Sequence, residues 1–118
     1  MFINLSNHPS SYWSDRQWEA SRCYGEVVDF PFPVVAPDAT NQEIQALADV
    51  YVEKILSVGD AKSITVHVMG EMTFTFMVVE RLKSMGIRCV ASTTERKTTY
   101  NSDGTKVSEF SFVKFRDY

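Results

Sequence analysis

The sequence predicts an α/β fold: a single-domain, Rossmann-like three-layer sandwich whose sheet is mostly parallel and closes with a C-terminal antiparallel hairpin. Two observations carry this. Short apolar runs alternate with stretches of helical periodicity, in the order strand-helix-strand-helix-strand-helix-strand. Such alternation places helices on the faces of a parallel sheet. Beyond the fourth run, Thr94 to Tyr100 and Lys106 to Phe115 flank Asn101-Ser102-Asp103-Gly104, a hairpin turn signal. Right-handed crossovers favour the strand order 2-1-3-4, with the last strand antiparallel at the edge. A chain of 118 residues has room for one core, so residues 1–118 are read as one domain.

The elements follow in order. Phe2 to Leu5 is a short apolar strand, and Ser6-Asn7-His8-Pro9-Ser10-Ser11 a polar loop. A helix begins near Ser14, which has capping-box spacing to Gln17, and Gly25 stops it. A strand runs from Glu26 to about Phe30; Pro31-Phe32-Pro33 cannot extend a central strand, because proline lacks the ladder N–H. Thr40 and Glu43 form a second capping box ahead of Ile44, Leu47, Ala48, Tyr51 and Ile55 at helical spacing, with Gly59 as the stop. Ser63 to Met69 reads as a strand, about Glu71 to before Gly86 as a helix, and Ile87 to Ala91 as the fourth strand. The third helix carries two apolar stripes, Met72, Phe76, Val79, Leu82 and Phe74, Val78, Met85. A helix apolar on two sides is buried on two sides. The second side is expected to meet another copy of the chain through Phe74 and Val78; the plainer alternative is cover from the C-terminal hairpin.

Composition narrows the function. The net charge of −3, with no basic tract, argues against a broad positive face for duplex nucleic acid. A small anionic ligand stays open, since helix N-termini hold phosphate without lysines. Cys23 and Cys89 have no CxxC spacing, so neither a cysteine metal site nor a disulfide framework is suggested; both are expected as buried free thiols in a reducing cytoplasm. No signal-like run and no membrane span of ~20 apolar residues is seen. No Walker loop, GxGxxG, GxSxG or HExxH pattern is present, and no cofactor or metal is expected.

Ligands of open parallel sheets bind beyond the carboxyl ends of the strands, where the order reverses. Under the order 2-1-3-4, that crevice lies between the first and third strands. Its expected loops are Ser6 to Ser11, then Gly70-Glu71-Met72-Thr73, then Ser92-Thr93-Thr94-Glu95-Arg96. They gather short hydrogen-bonding side chains suited to phosphates and sugars. Each also has a plainer reading. Asn7, Ser10 and Ser11 suit a turn. Glu71 suits a helix N-terminus. Gly70 suits close strand–helix packing, and Thr93 and Thr94 suit a strand end. Arg96 is the cation best placed for an anion. His67, mid-strand, reads as a core residue.

The stretches INLSNHPS, YGEVVDFPFP, VHVMGEMTFTF and GIRCVASTTER, closed by FSFVKFRDY, resemble a family of small CRISPR-associated proteins. These are stand-alone relatives of the CRISPR-associated Rossmann-fold (CARF) sensors of type III systems. The resemblance implies a cytoplasmic homodimer that binds cyclic oligoadenylate, usually the tetra-adenylate, across its two-fold axis. It implies a metal-independent ring nuclease, in which a ribose 2′-hydroxyl attacks the adjacent phosphate in line and antiviral signalling is damped. Carried onto this chain, His8, Glu71 and Arg96 would be catalytic. Ser6, Asn7, Ser10, Ser11, Gly70, Met72, Thr73, Ser92, Thr93 and Thr94 would hold the ligand. One evident cation is sparse for cleavage. The alternatives are a binding protein that sequesters the messenger, and a small α/β interaction domain with no nucleotide ligand.

Overall fold

Helix signals in the chain are met by hydrogen bonds. Ser14 caps α1 (Asp15–Ser21), its side chain accepting from the Gln17 N–H, and Thr40 caps α2 (Asn41–Leu56) by accepting from the Glu43 N–H. The computed structural model, which describes residues 1–118, places α3 at Met72–Ser84. Gly86 closes α3 with φ +78°, the Ile87 N–H reaching the Leu82 carbonyl and the Gly86 N–H reaching that of Lys83. This is a Schellman ending, in which the left-handed position favours glycine. No helix is long and apolar enough to cross a membrane.

One five-stranded sheet has the order β2-β1-β3-β4-β5, built from β1 (Phe2–Ser6), β2 (Val27–Pro31), β3 (Thr65–Met69), β4 (Arg88–Tyr100) and β5 (Lys106–Asp117). The first four strands are mutually parallel and β4–β5 is antiparallel. Pro31 does end β2, which the edge position allows, since one side of β2 has no ladder to satisfy. β1 is central, and Asn4 stands opposite Asp29 on one side and His67 on the other.

Alternation along the strands splits the core in two. Ile3, Leu5, Val66 and Val68 pack with Ile44, Ala48, Val52 and Ile55 of α2 and with Phe74, Val78, Val79 and Leu82 of α3. On the other face Phe2 and Val90 pack with Trp13, Phe112 and Phe115. Gly70, just past β3, has the ring of Phe32 where a side chain would begin, so close packing requires glycine there.

Three expectations are corrected. Ser92 to Arg96 is strand, not loop: β4 leaves β3 after Val90 but pairs with β5 as far as Tyr100, making a projecting arm. Phe74 and Val78 are fully buried against the sheet and α2, so they form no interface; the exposed apolar residues of α3 are Met72 and Phe76. Cys23 is exposed, in the 3-10 turn over Arg22–Tyr24 that follows the first helix, whereas Cys89 is a buried free thiol as expected.

Candidate functional site

Asn4 organises the site. It is 1% exposed between Ile3 and Leu5, so each of its polar atoms needs a partner. Its Nδ2 donates to the Asp29 carboxylate at 2.8 Å and to the His8 carbonyl at 3.1 Å. Both are acceptors only, which fixes which way the amide points. Its Oδ1 accepts from Ser6 Oγ at 2.7 Å and faces His67 Nδ1 at 2.8 Å. His67 must therefore carry its proton on Nδ1, leaving Nε2 as an acceptor. Burial, then the nearby charge of His8, pulls the His67 pKa down to about 4, so the ring is neutral at physiological pH.

The same network shapes the loop after β1. The His8 carbonyl also accepts from Trp13 Nε1 at 3.1 Å, and the His8 N–H donates to Ser6 Oγ. Ser10 donates to Asp29 from both its N–H and its hydroxyl. Burial raises the Asp29 pKa, but hydrogen bonds from Ser10 and Asn4 outweigh it and hold the carboxyl below its ordinary value. With its backbone tied down, the loop presents the Asn7 and His8 side chains outward, and both are exposed.

A crevice of 270 Å³ opens beyond the carboxyl ends of β1 and β3, where the strand order reverses. Ser6, Asn7, His8, Ser92 and Thr94 line it, as the sequence suggests. Gln17, His67, Met69, Phe110 and Phe112 also line it. An adjoining hollow of 440 Å³ shares His8, Gln17, Phe110 and Phe112 and adds Arg16 and Lys97. The chain's ion pairs are Arg22–Glu19, Arg81–Asp49 and Arg88–Asp117, so Arg16 and Lys97 are unpaired. Phe110 is 70% exposed at the rim, a flat apolar face in a polar surround.

The remaining expected residues lie elsewhere. Glu71 caps α3, accepting from the N–H groups of Thr73 and Phe74 and from the Thr73 hydroxyl. Those bonds, the Phe74 N–H first, hold its carboxyl below the ordinary range. Gly70 and Met72 border a separate apolar hollow with Phe76 and Tyr118. Ser10 is taken up by Asp29, and Ser11 is exposed in a 3-10 turn. Thr93 binds the Lys114 backbone. Arg96 is on the arm, donating to Ser108 Oγ at 3.2 Å with its guanidinium 6.0 Å from the Phe110 ring centre.

The family described as "Uncharacterized protein MJ1673 family" matches residues 1–116. The chain belongs to the MJ1673 family. The matched span takes in every crevice residue of this MJ1673-family protein, from Ser6 to Phe112. No curated protein matches the chain.

Proposed function

We propose that this protein binds cyclic oligoadenylate, the tetra-adenylate being the expected ring, and holds it intact. The observation that carries this reading is the crevice itself. At the sheet's switch point it joins a polar floor, an exposed aromatic rim in Phe110, and two unpaired cations, Arg16 and Lys97. A base stacks on an aromatic face, phosphates pair with cations, and ribose hydroxyls need amide, hydroxyl and imidazole partners. The crevice is smaller than the roughly 300–1,000 Å³ usual for a whole small-molecule ligand. It fits one nucleotide of a ring, the rest lying over the adjoining hollow and a second copy. Such messenger binding belongs to the cytoplasm.

Retention is favoured over cutting because Glu71 is committed to its helix cap and Arg96 to the arm. The second reading, a metal-independent ring nuclease, rests on His8, the one proton-transfer side chain exposed at the crevice. Incubating the protein with labelled cyclic tetra-adenylate separates the readings. The expected result is stoichiometric retention of intact ring, with the Arg16→Ala, Lys97→Ala double variant weakened about tenfold or more. Linear product that disappears in His8→Ala establishes the nuclease instead, and no retained or cut ring leaves an interaction domain.

The proposed dimer uses Met72 and Phe76, which sit at the same end of the sheet as the crevice. Sedimentation at micromolar concentration is expected to give a dimer, and Met72→Ser, Phe76→Ser a monomer. A wild-type monomer, with and without ring, removes the two-fold arrangement.

A further inference from the structure

One buried polar atom in the crevice has no partner. His67 is 1% exposed and its ring lines the crevice, yet Nε2 makes no hydrogen bond. Leaving a buried acceptor unpaired is costly, and native structures keep such groups for a reason. The cost here is not incidental to ring placement. Asp29 orients Asn4, and Asn4 Oδ1 accepts from Nδ1–H, so the network dictates that the free nitrogen is the one facing away from Asn4 and bears a lone pair. Trp13, Phe115 and Phe2 hold the ring from the sides, with ring centres 6.0, 5.2 and 6.2 Å away. An apolar box around one oriented lone pair suits a single neutral donor. It offers nothing to a phosphate oxygen, which is itself an acceptor.

We propose that His67 determines specificity in the crevice by accepting a hydrogen bond at Nε2 from a ribose 2′-hydroxyl of the bound ring. This rests on the cyclic-oligoadenylate reading and deepens it: the ligand must be ribonucleotide. The 2′-hydroxyl is the donor that separates RNA from DNA at a given site. A site built around such a donor rejects an analogue lacking it, because its own polar group is then stranded. Since burial keeps the imidazole neutral and weakly basic, His67 holds the hydroxyl and does not take its proton, which agrees with retention of an intact ring.

The test compares cyclic tetra-adenylate with its all-2′-deoxy counterpart on wild type and on His67→Phe, which keeps a flat aromatic ring in the box. Wild type is expected to bind the deoxy ring about 10- to 100-fold more weakly, and His67→Phe to bind both equally, near the weaker level. Equal binding of the two rings by wild type, or an unchanged preference in His67→Phe, overturns the assignment. Histidine ¹⁵N spectra of wild type supply a reading that needs no variant. The free protein is expected to show the proton on Nδ1, and added ring to move the Nε2 signal toward that of a hydrogen-bonded acceptor. A proton on Nε2 in the free protein, or an unmoved Nε2 while the ring is retained, overturns the assignment of His67 alone. Failure of wild type to bind either ring overturns the cyclic-oligoadenylate reading, and this assignment with it.

Discussion

Replacing Asn4 with alanine is expected to cost about 3–5 kcal/mol of stability, a large part of the roughly 5–15 kcal/mol that holds a domain of this size together. The side chain contributes little apolar area. Its importance is that four partners depend on it. Without Asn4 the buried Nδ1–H of His67 has no acceptor, the Ser6 hydroxyl and Asp29 each lose a partner, and the His8 carbonyl keeps only part of its set. Each stranded group costs about 1–3 kcal/mol, more when charged. Asn4→Asp fares no better, because it sets a second carboxylate beside Asp29 and removes both donors. Asn7→Ala, one turn of loop away and exposed, is expected to stay within about 0.5 kcal/mol of wild type. Chemical denaturation of the three variants decides the matter. A loss of under about 1 kcal/mol for Asn4→Ala would show that water replaces the network at little cost.

That network explains why some of the site could be read from sequence and some could not. The caps at Ser14 and Thr40 and the stop at Gly86 are local, so each helix was visible residue by residue, and the crossover rule then ordered the sheet. The loop holding Asn7 and His8 followed from that order. The hairpin turn signal marked the arm from Thr94 to Tyr100, but not that Ser92 and Thr93 carry the parallel run straight into it as one strand, because short polar side chains after an apolar run suit a loop equally well. The apolar breadth of α3 suggests a second interface, whereas Phe74 is enclosed by Phe32 and Tyr51 within the chain itself. Arg16 and Lys97 come from α1 and the arm, so no spacing connects them. Asn4 and His67 did leave a signal: each is a polar side chain between two apolar neighbours, Ile3 and Leu5 or Val66 and Val68, where an unpaired polar group could not be tolerated. Taking His67 for a core residue was right about its burial and silent about its free nitrogen.

Stability is expected to fall by about 3 kcal/mol as pH drops from 6.5 toward 4, through His67. The ring titrates at 6.5 in an unfolded chain and at about 4 in the folded one. Between those values the unfolded state binds more protons, so stability rises with pH, being fully present above 6.5 and lost progressively as pH falls through the window. Protonation would place N–H donors on both nitrogens. Asn4 can accept one, and the other would point from a charged ring into the box of Trp13 and Phe115. The charge of His8 adds to that cost. Asp29 has its own effect lower down. Its folded pKa is depressed, so its contribution is present above the ordinary carboxyl value and is lost as pH falls through its folded one. Denaturation midpoints measured from about pH 7.5 to about pH 4.5 should therefore slope steeply in wild type and much less in His67→Phe, which has no proton to gain. Parallel slopes in the two proteins would place the acid sensitivity elsewhere and would mean that His67 can charge in place.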